Sequence, residues 1–536
     1  MEERTRYVIL FLFFAVCFLQ IVWAQQPTQE WVRRYSPGSN ISANGLSVKQ
    51  DSSGNVYVLV RQGSDSSYGD YGLLKYSPAG NLLWSVKYNS PGNLDETPNA
   101  FDVSKAGDVY ITGSSGINFE YHILTVKFDS SGLLQWAKEY NGGYGDGASD
   151  LKIDKYGNVV ICGGSAVNNN ISYALAVKYS SNGDSLWVRK FTQFQYSYTR
   201  NLVIDDSANV YTAGVHQVNM NQSNYLVLKF NQNGNFVWFS SYGVTNFAAS
   251  ANSIAIDSNR NVYVVGTLDV PQPGRNNVLV KINQAGLQEW AKAYTGIANN
   301  NRCGNTPTGL SIVSDGSRIY YTTVCGSTGN TSEFITLGYN NIGDTTWVRR
   351  FPIGGSGIPQ YNPIDLKLDR YGNAYIAGSI NDWDVGVIIK YTENGEQQWI
   401  ISTDSSSGNN LLIDSNLIYV TGGGYLGYAV TIKYNQTIGI ISNNYELPTV
   451  FRLNQNFPNP FNSTTIISYA LPRKANVVLN IYNALGQLIK ILVNSVQQSN
   501  YYSVILNTPD FASGVYFYSL IIDENLIETK KFIIIK

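Results

Sequence analysis

A tryptophan recurs at nearly constant spacing between residues 31 and 399, and this repeat limits the possible folds more than any other feature of the sequence. Successive members are 53, 52, 51, 51, 52, 57 and 52 residues apart, and a glycine turn precedes seven of them. The tryptophans are Trp31, Trp84, Trp136, Trp187, Trp238, Trp290, Trp347 and Trp399, and the glycines are Gly80, Gly132, Gly183, Gly234, Gly286, Gly343 and Gly395. A period near 50 residues is typical of a repeat architecture in which each unit is one supersecondary structure.

Each repeat divides into four short runs with the patterns of β-strands. In one unit, residues 151–154 alternate apolar and polar side chains, which is typical of a half-buried strand. Residues 159–162 are continuously apolar, as expected for a strand covered on both faces. Residues 174–179 and 185–191 supply the other two strands, and Asp-x-x-Gly-Asn turns join the first pair. Because no window has sustained helical periodicity, the sequence predicts an all-β chain built from four-stranded propeller blades.

The two ends of the repeat region are incomplete in complementary ways. Residues 30–35 have the pattern of a fourth strand without the three before it, and residues 411–435 supply three strands without the tryptophan strand. An open ring would leave a bare strand edge, which favours aggregation. We therefore predict that the N-terminal strand completes the last unit and that residues 25–438 form an eight-bladed β-propeller. Seven blades, with one unit displaced, is the alternative.

Residues 1–24 have the pattern of a signal peptide. Arg4 and Arg6 precede a run, residues 7–22, that is apolar except for Gln20, and residues 22–24 offer a cleavage site. An uncleaved membrane anchor is the alternative interpretation. No later stretch reaches the ~20 apolar residues that a membrane-spanning helix needs, so we expect no span after cleavage.

The remaining composition fits an exported β protein and argues against some partners. The net charge is −1 and Lys and Arg form no cluster, which is unlike proteins that bind nucleic acid or anionic membranes. Three cysteines follow the signal segment, too few for a disulfide framework. Cys303 and Cys325 fall in one unit and either pair in an oxidising compartment or stay free. Cys162 is expected to be a small buried residue.

The repeats resemble the SBBP family, β-propeller repeats typical of secreted bacterial proteins. The resemblance covers residues 31–435 and depends on the D-x-x-G-N-x-Y-x-x-G strand pair and the G-x-x-x-W strand. It implies a propeller fold and export. The family's name implies seven blades, whereas eight repeats are counted here. Propellers host both binding and catalysis, so the resemblance identifies no ligand.

The C-terminal part of the chain has a different pattern. After a linker, residues 439–452, short alternating strands predict a small β-sandwich over residues 453–536. The segments NFPNPFNSTTIISYALP, IYNALGQLIKIL, SGVYFYSL and ETKKFIIIK resemble, in order, the type A C-terminal sorting domain of type IX secretion substrates. The residues that match its motifs are Pro458, Asn459, Pro460, Phe461, Gly486, Gly514, Val515, Tyr516, Phe517, Lys530 and Lys531. Phe532 stands where a methionine is more usual.

This second resemblance implies a partner and a location. The type IX secretion machinery would recognise the domain and carry the chain across the outer membrane of a Gram-negative-type bacterium. The protein would then be released or attached to the cell surface. An immunoglobulin-like accessory domain that stays attached to the propeller is the alternative.

Variable loops indicate where a ligand would bind. In a four-stranded blade the second-to-third loops and the loops between units share one face, here called the variable face, and the loops on the other face are short and repetitive. The variable loops are residues 63–72, 166–172, 216–224, 268–277, 299–308 and 381–384. Loops on a rigid scaffold usually carry ligand contacts.

Four residues on the variable face are candidate ligand contacts: Tyr68, Asp382, Trp383 and Asp384. Two of them are carboxylates that flank an aromatic ring, as in sugar-binding and glycosidase sites. Solvated acids in loops have the same appearance, so no catalytic residue is predicted. The acids of residues 65–70 and 95–96 are interpreted in the same way.

Other recurring residues are expected to have structural roles. An aromatic residue begins the third strand in six units and is expected to pack between blades: Tyr71, Tyr121, Tyr173, Tyr225, Phe334 and Tyr428. A lysine within the third strand is expected to extend along a neighbouring aromatic ring: Lys75, Lys127, Lys178, Lys229, Lys281, Lys390 and Lys433. His122 and His216 lie two units apart with no third ligand set by spacing, so neither a metal nor a cofactor is predicted.

Two classes of function fit these observations. The first is a non-enzymatic binding or adhesion module for a glycan or a surface protein. The second is a secreted polysaccharide hydrolase or lyase whose carboxylates converge from different units. A structural role in a surface layer is a third option, and the sequence leaves open whether the protein is an enzyme.

Overall fold

The structure is all-β. The computed structural model describes residues 26–38, 41–63, 69–92, 94–117, 120–168, 170–270, 275–295, 302–303, 311–326, 332–352, 362–380, 385–404, 408, 410–424, 427–436, 450–456, 459–461, 464–497, 500–508 and 511–535. Forty strands and no helix occur in these ranges. A helix with the length and apolar character needed to cross a membrane is therefore also missing from them.

The first half of the repeat region forms four sheets of four strands each, and each sheet is antiparallel with its strands in chain order. Sheet 1 contains β2 (Ser42–Gln50), β3 (Val56–Gly63), β4 (Asp70–Tyr76) and β5 (Leu82–Tyr88). Sheet 2 contains β6 (Asp95–Val103), β7 (Val109–Ile117), β8 (Glu120–Phe128) and β9 (Leu134–Tyr140). Sheet 3 contains β10 (Gly145–Ile153), β11 (Val159–Asn168), β12 (Ile171–Tyr179) and β13 (Ser185–Phe191). Sheet 4 contains β14 (Ser197–Ile204), β15 (Val210–Asn219), β16 (Gln222–Phe230) and β17 (Phe236–Tyr242).

The second half forms four more sheets, of which the last takes its outer strand from the N-terminus. Sheet 5 contains β18 (Ala249–Ile256), β19 (Val262–Asp269), β20 (Arg275–Ile282) and β21 (Gln288–Tyr294). Sheet 6 contains β22 (Arg302–Cys303), β23 (Ser311–Ser314), β24 (Arg318–Gly326), β25 (Ser332–Asn340) and β26 (Thr345–Pro352). Sheet 7 contains β27 (Asn362–Leu368), β28 (Ala374–Ile380), β29 (Val385–Tyr391) and β30 (Gln397–Asp404). Sheet 8 contains β31 (Asn410–Asp414), β32 (Leu417–Gly423) and β33 (Ala429–Asn435), and β33 pairs antiparallel with β1 (Thr28–Tyr35).

The turn between the first two strands of a sheet is held by one aspartate. Asp51 Oδ1 accepts the backbone N–H groups of Ser53 and Asn55, both at 2.9 Å. Its Oδ2 accepts the Asn55 side chain at 2.8 Å and the Tyr57 hydroxyl at 3.0 Å. Gly54, at φ +79°, supplies the left-handed residue of the turn. The Asp-x-x-Gly-Asn motif is therefore a turn in which the carboxylate is used fully by its own neighbours.

The hydrophobic cores lie between neighbouring sheets. In sheet 1 the second strand is covered on both faces, and its residues from Val56 to Val60 have no exposed surface. One core cluster joins sheets 1 and 2, another joins sheets 7 and 8, and a third joins sheet 8 to sheet 1. The first strands also contact one another in a cycle, in the order β2, β6, β10, β14, β18, β23, β27, β31 and again β2. The arrangement is propeller-like.

The recurring tryptophan and glycine form one contact between neighbouring sheets. The Trp187 indole Nε1–H of sheet 3 donates to the Gln232 carbonyl of sheet 4 at 3.3 Å. A Cβ added at Gly234, in the same turn, would lie 2.7 Å from the indole, so only glycine leaves room for the ring. Trp31 of sheet 8 makes the same contact with sheet 1, 3.2 Å from the Pro78 carbonyl. Trp84, Trp136, Trp238, Trp290 and Trp347 donate in the same way.

Six of the seven recurring lysines extend along a tyrosine ring, as predicted, whereas Lys178 pairs with Asp154. Several of them also support the joints between sheets. Lys75 Nζ donates to the Ser130 carbonyl of sheet 2 at 2.8 Å, the same oxygen that Trp84 uses. The ammonium lies 4.9 Å from the centre of the Tyr57 ring, within the range of a cation–π contact. Equivalent lysine–tyrosine contacts occur at Lys127, Lys229, Lys281, Lys390 and Lys433. These side chains extend along aromatic rings while their charged ends hold the next sheet.

Sheet 6 departs from the repeat because β22 and β23 both pair with β24. Cys303 of β22 lies opposite Cys325 of β24 in this register, and Cys325 is disulfide-bonded. Cys162 is free and fully buried, as predicted. Burial raises the pKa of its thiol far above the ordinary value, so the residue behaves as a small apolar side chain.

The C-terminal region forms two sheets that share one core. The first contains β34 (Arg452–Leu453), β35 (Thr464–Leu471) and β38 (Asn500–Asn507), in the order β34-β35-β38. The second contains β36 (Ala475–Tyr482), β37 (Leu488–Gln497), β39 (Gly514–Ile522) and β40 (Asn525–Ile534), in the order β37-β36-β39-β40. The core includes Ile467 and Tyr469 of the first sheet with Leu479, Leu520 and Phe532 of the second.

Candidate functional site

The four predicted ligand contacts, Tyr68, Asp382, Trp383 and Asp384, lie outside the described residues, as does Pro458 of the sorting motif. The acids nearest to Tyr68 in the described part are engaged with the protein itself. Asp70 forms an ion pair with Lys87 at 2.8 Å. Asp95 accepts the Gly69 N–H at 2.8 Å and the Arg61 guanidinium at 3.3 Å. Their contacts agree with structural roles.

Glu96, the neighbour of Asp95, is fully buried. One carboxylate oxygen accepts the hydroxyls of Ser90 and Ser115, and the other has no hydrogen-bond partner among the described residues. The loss of solvent raises the pKa of this carboxyl above its ordinary value. Sequence patterns could not predict this burial, since Asp95 and Glu96 read as a solvated acidic pair.

A pocket of about 450 Å³ opens between sheets 4 and 5, at the ends of their strands that belong to the variable face. Two of the predicted variable loops contribute to its wall: residues 216–224 supply Gln217, Asn219 and Gln222, and residues 268–277 supply Asp269 and Arg275. Most of the remaining wall comes from the first strands and the segments before them, among them Tyr196, Tyr198, Arg200, Ser250 and Asn252. A volume of this size is ordinary for a small-molecule site.

Two β-bulges lie in the wall of this pocket. The pairing of β14 with β15 shifts register between Thr199 and Asn201, which leaves Arg200 as the extra residue. The pairing of β18 with β19 shifts at the equivalent place, which leaves Asn252 as the extra residue. Tyr198 and Arg200 of β14 both line the pocket, as do Ser250 and Asn252 of β18, because side chains two residues apart share one face of a strand. Bulges are common beside functional sites, and each register shift here lies at the second residue of its pair.

Tyrosine and arginine form the aromatic side of the pocket. The Arg200 Nη2 group donates to the Tyr198 hydroxyl at 2.6 Å, and its guanidinium carbon lies 5.2 Å from the centre of the Tyr198 ring. Tyr196 meets Tyr198 edge to face, with ring centres 6.1 Å apart. Tyr196 is 39% exposed, so its ring is available to a ligand. Together these groups place two nearly perpendicular aromatic rings beside a positive charge.

The opposite side of the pocket carries an ion pair. Arg275 Nε lies 2.5 Å from Asp269 Oδ1, and its Nη2 donates to Oδ2 at 3.3 Å. This two-point contact raises the pKa of the Arg275 guanidinium. Both side chains are about one third to one half exposed, at 34% and 44%. The charge of Arg275 is therefore matched by Asp269 at the pocket edge.

Amide and hydroxyl groups complete the wall and hold it in place. The Ser223 hydroxyl donates to the Ala249 carbonyl at 3.0 Å, and the Asp269 N–H donates to the Ala248 carbonyl at 2.8 Å. The first bond fixes the β15–β16 hairpin to the entry of sheet 5, and the second fixes the end of β19 to the residue before β18. The hydroxyl oxygen of Ser250 is buried and makes no hydrogen bond within the described part of the chain. The pocket thus has a fixed frame and polar groups that can both donate and accept hydrogen bonds.

The two histidines make no common site. His216 stacks on Phe194 with ring centres 3.7 Å apart and shares a 2.8 Å hydrogen bond with Ser241. Burial lowers the pKa of its imidazole, which favours the neutral ring. His122 contacts Asn141 instead. Within the described ranges, no group of three His, Cys, Asp or Glu residues is arranged to hold a metal ion.

In the C-terminal region the first and last motifs meet. Asn459 Oδ1 accepts the Ile533 N–H at 2.8 Å, and the Phe461 N–H donates to the Ile533 carbonyl at 3.0 Å. Phe461 is buried against Phe532, and Tyr516 stacks on the same ring at 5.3 Å. The motif that opens the domain is therefore bound to its last strand.

The other motif residues are spread over the domain. Pro460 is exposed beside Asn459, and Gly486 lies at φ +76° in the turn before β37. Gly514, Val515 and Phe517 belong to β39. Lys530 forms an ion pair with Glu528 at 2.7 Å, whereas Lys531 is exposed.

Sequence reasoning located the variable face but missed Tyr196, Tyr198, Arg200, Asp269 and Arg275. The signal that could have found Arg200 is its place in the repeat. At the corresponding bulge five other first strands carry Leu46, Asn99, Ser149, Asn252 and Ile364, none of which is charged. An arginine at this one position is the exception that a comparison of the units would have shown.

Comparisons with known proteins address the two regions separately. Residues 455–536 match the family of secretion system C-terminal sorting domains. No curated protein sequence matches the chain. Several solved structures are similar at low identity. A β-propeller domain of the trilobed protease from Pyrococcus furiosus has a TM-score of 0.38 and 9% identity, and the match covers 68% of this chain and 96% of that one.

Two further solved structures have comparable scores. An ulvan lyase from a new family of polysaccharide lyases has a TM-score of 0.40 and 12% identity, with 61% of this chain and 90% of that chain covered. A eukaryotic initiation factor has a TM-score of 0.36 and 10% identity, with 71% and 89% covered. At these scores the similarity carries no functional argument.

Proposed function

We propose, starting from the type IX sorting domain that makes this chain a secreted or cell-surface bacterial protein, that it is a non-catalytic saccharide-binding protein of a Gram-negative-type cell surface. Residues 1–24 act as the signal peptide for the inner membrane. Residues 453–536, a β-sandwich, are recognised by the type IX machinery for the outer membrane, and residues 439–452 link this domain to the binding region.

The binding region, residues 25–438, is proposed to be an eight-bladed propeller of the SBBP type, closed by the N-terminal strand. Eight sheets support this count, as does the cycle of contacts among first strands. The joint of sheets 8 and 1 has the same chemistry as the others. Asn410 accepts the Val48 N–H at 3.0 Å, just as Asp365 accepts the Leu411 N–H at 3.0 Å between sheets 7 and 8.

The observation that carries the binding proposal is the pocket between sheets 4 and 5. It combines the exposed ring of Tyr196, the charged group of Arg200 and the side-chain amides of Gln217, Asn219 and Gln222. Sugar rings stack on aromatic faces, and their hydroxyls need groups that both donate and accept. A surface protein whose pocket is lined by these groups is suited to bind a saccharide outside the cell.

The small number of acidic residues in the pocket favours binding of a saccharide over its cleavage. Hydrolysis of a glycosidic bond ordinarily needs two carboxyl groups that flank the bond. Among the described residues that line the pocket only Asp269 is acidic, and Arg275 occupies both of its oxygens. The alternative function, a polysaccharide hydrolase or lyase, would need carboxylates supplied from elsewhere on the variable face, with Asp382 and Asp384 as first candidates.

The experiment that tests this function exposes the protein, residues 25–536, to a panel of soluble and insoluble polysaccharides. Both retention of the protein and release of reducing or unsaturated ends are measured. We expect retention by at least one glycan without product. Tyr196→Ala should weaken that retention about fivefold, since a lost aromatic contact costs ~1 kcal/mol. Tyr156→Ala is the matched control, because Tyr156 is equally an exposed tyrosine (60%) but lies in a β10–β11 turn on the other face.

Each contrary result has a distinct meaning. Release of product from any glycan establishes the hydrolase or lyase alternative. If Tyr196→Ala and Tyr156→Ala weaken retention equally, the binding site lies outside the pocket. If no glycan retains the protein, saccharide binding is wrong and a surface protein becomes the ligand to seek.

A further inference from the structure

We infer that the saccharide taken by the pocket between sheets 4 and 5 is acidic, and that Arg200 holds its carboxylate. This inference rests on the proposed saccharide-binding function and names the chemical class of the ligand. The geometry that carries it is an arginine that lines the pocket beside Tyr198, without an acidic partner in the described part of the chain.

The charge of Arg200 is available to a ligand. Its polar contact among the described residues is the hydroxyl of Tyr198, which is neutral, and its guanidinium lies against the ring of the same residue. Most other arginine and lysine side chains in the described sheets contact a carboxylate or backbone carbonyl groups. Arg189, for example, donates to the Gly234 and Val188 carbonyls. Arg200 is half-buried, so the field of its charge is screened less than on an open surface.

The other charges of the pocket cancel. Arg275 and Asp269 form a two-point ion pair, which leaves the lining with one unmatched positive charge, that of Arg200. An anion that entered the pocket would be attracted by Arg200 and would meet Asp269 only at the far edge, already neutralised. A neutral saccharide would leave the half-buried guanidinium without a charged partner.

The arrangement fits a carboxylate on a sugar ring. A planar guanidinium binds a carboxylate through two parallel hydrogen bonds, which fixes orientation as well as affinity. The Tyr196 ring lies next to Tyr198, which itself contacts Arg200, so one ligand can stack on an aromatic face and reach the charge. The amides of Gln217, Asn219 and Asn221 and the buried Ser250 hydroxyl are suited to the remaining ring hydroxyls.

These groups favour an acidic saccharide over an acidic peptide. A peptide with several carboxylates would need several cations, and the pocket offers one. Its backbone would also prefer an unpaired strand edge, where main-chain hydrogen bonds provide affinity. A lining of side-chain amides and hydroxyls around one arginine that has no acidic partner among the described residues matches one uronate residue among neutral hydroxyls.

The test compares uronate oligomers with their methyl esters, which keep the same ring and remove the charge. The protein, residues 25–536, is titrated by calorimetry with tetramers of galacturonate, mannuronate and guluronate, and with each methyl ester. We expect at least one acid to bind about tenfold or more tightly than its ester, and the preference to weaken as NaCl rises because salt screens the contact. Charge-assisted hydrogen bonds of this kind are roughly twice as strong as neutral ones.

Arg200→Gln should remove that preference, lowering affinity for the acid about tenfold and leaving affinity for the ester unchanged. Lys87→Gln is the control, because it removes an exposed positive charge from sheet 1 and should change neither affinity. Since the bulge is a backbone feature and Arg200 spans no joint, the variant should keep the melting temperature of the parent, which is measured alongside.

The outcomes separate this inference from the proposed function. Esters bound as tightly as acids, or an Arg200→Gln protein that keeps the acid preference, overturn the inference and leave saccharide binding intact. Binding of a hexaglutamate peptide with no binding of any saccharide overturns both in favour of a protein ligand. No binding of either class overturns both as well.

Discussion

Replacing the turn glycine that receives Trp31 is a direct test of whether the N-terminal strand joins sheet 8 to sheet 1. Gly80 lies at φ +81°, and a Cβ at this position would lie 2.8 Å from the Trp31 indole. Gly157 has the same φ of +81°, but a Cβ there would meet nothing within 4 Å. Gly234 lies at φ +77° and repeats the Gly80 geometry at an internal joint, 2.7 Å from Trp187. The three positions separate backbone strain from the loss of ring packing.

The expected costs follow from these distances. Alanine in the left-handed region costs about 1–2 kcal/mol, and Gly157→Ala should lose only that amount of unfolding free energy. Gly80→Ala and Gly234→Ala should lose about 1–3 kcal/mol more, because an added methyl group must displace a packed indole. The difference between Gly80→Ala and Gly157→Ala therefore measures the contact that β1 makes with sheet 1 through Trp31 and Arg33.

The assay is urea denaturation of the protein, residues 25–536, followed by tryptophan fluorescence and far-ultraviolet circular dichroism. Equal losses for Gly80→Ala and Gly234→Ala would establish that the joint formed by β1 is as tight as an internal one. If Gly80→Ala costs no more than Gly157→Ala, the Trp31 contact is absent in solution and the closed, eight-bladed arrangement is wrong.

Two further predictions concern buried charges. Because loss of solvent raises the pKa of the Glu96 carboxyl, the folded protein keeps this proton at pH values where the unfolded chain, near its ordinary value of 4.5, has released it. The contribution of Glu96 to the free energy of unfolding is complete below that ordinary value and falls as pH rises through the folded pKa. Glu96→Gln should therefore remove this part of the decrease in the urea midpoint between pH 4 and 8. A parent and variant with parallel profiles would contradict the burial of a titrating carboxyl. Lys178→Met should cost about 3–5 kcal/mol, since it leaves the carboxylate of Asp154, 2.7 Å away and fully buried, without its partner. Lys49→Met, which breaks a 3.6 Å pair at 35% and 20% exposure, should cost less than about 1 kcal/mol in the same titration, and similar losses for both would refute the role of burial.

The features that repeat were predictable from the sequence because each has a local cause. The Asp51 turn, the buried second strand and the extended Lys75 are fixed by neighbours a few residues away or by the same residue in the next unit. The partner of each tryptophan was not predictable in the same way. Sequence placed Gly80 before Trp84, but in space its turn receives Trp31, and only the packing of neighbouring sheets reveals this.

The candidate site was predictable only as a face. Loops 216–224 and 268–277 were recognised as variable, and both line the pocket. Arg200 was missed because the packing of sheet 4 against sheet 5, which forms the pocket, is not visible in hydrophobic periodicity. Glu96 was misjudged because burial depends on the sheet packed over it, which no local pattern encodes. The sites that depart from the repeat are thus the ones that tertiary structure decides.

The pairing of β1 with β33 also sets an order in time. Thr28 and Asn435 meet in this pair although 407 positions separate them in the chain. Closing so long a loop is slow compared with forming the hairpins inside a unit. A chain that emerges with its N-terminus first can fold sheets 1 to 7 as they appear, but β1 stays unpaired until β33 has emerged. Sheet 8 is therefore the last part of the repeat region to form. Its completion shows that the chain has emerged as far as β33.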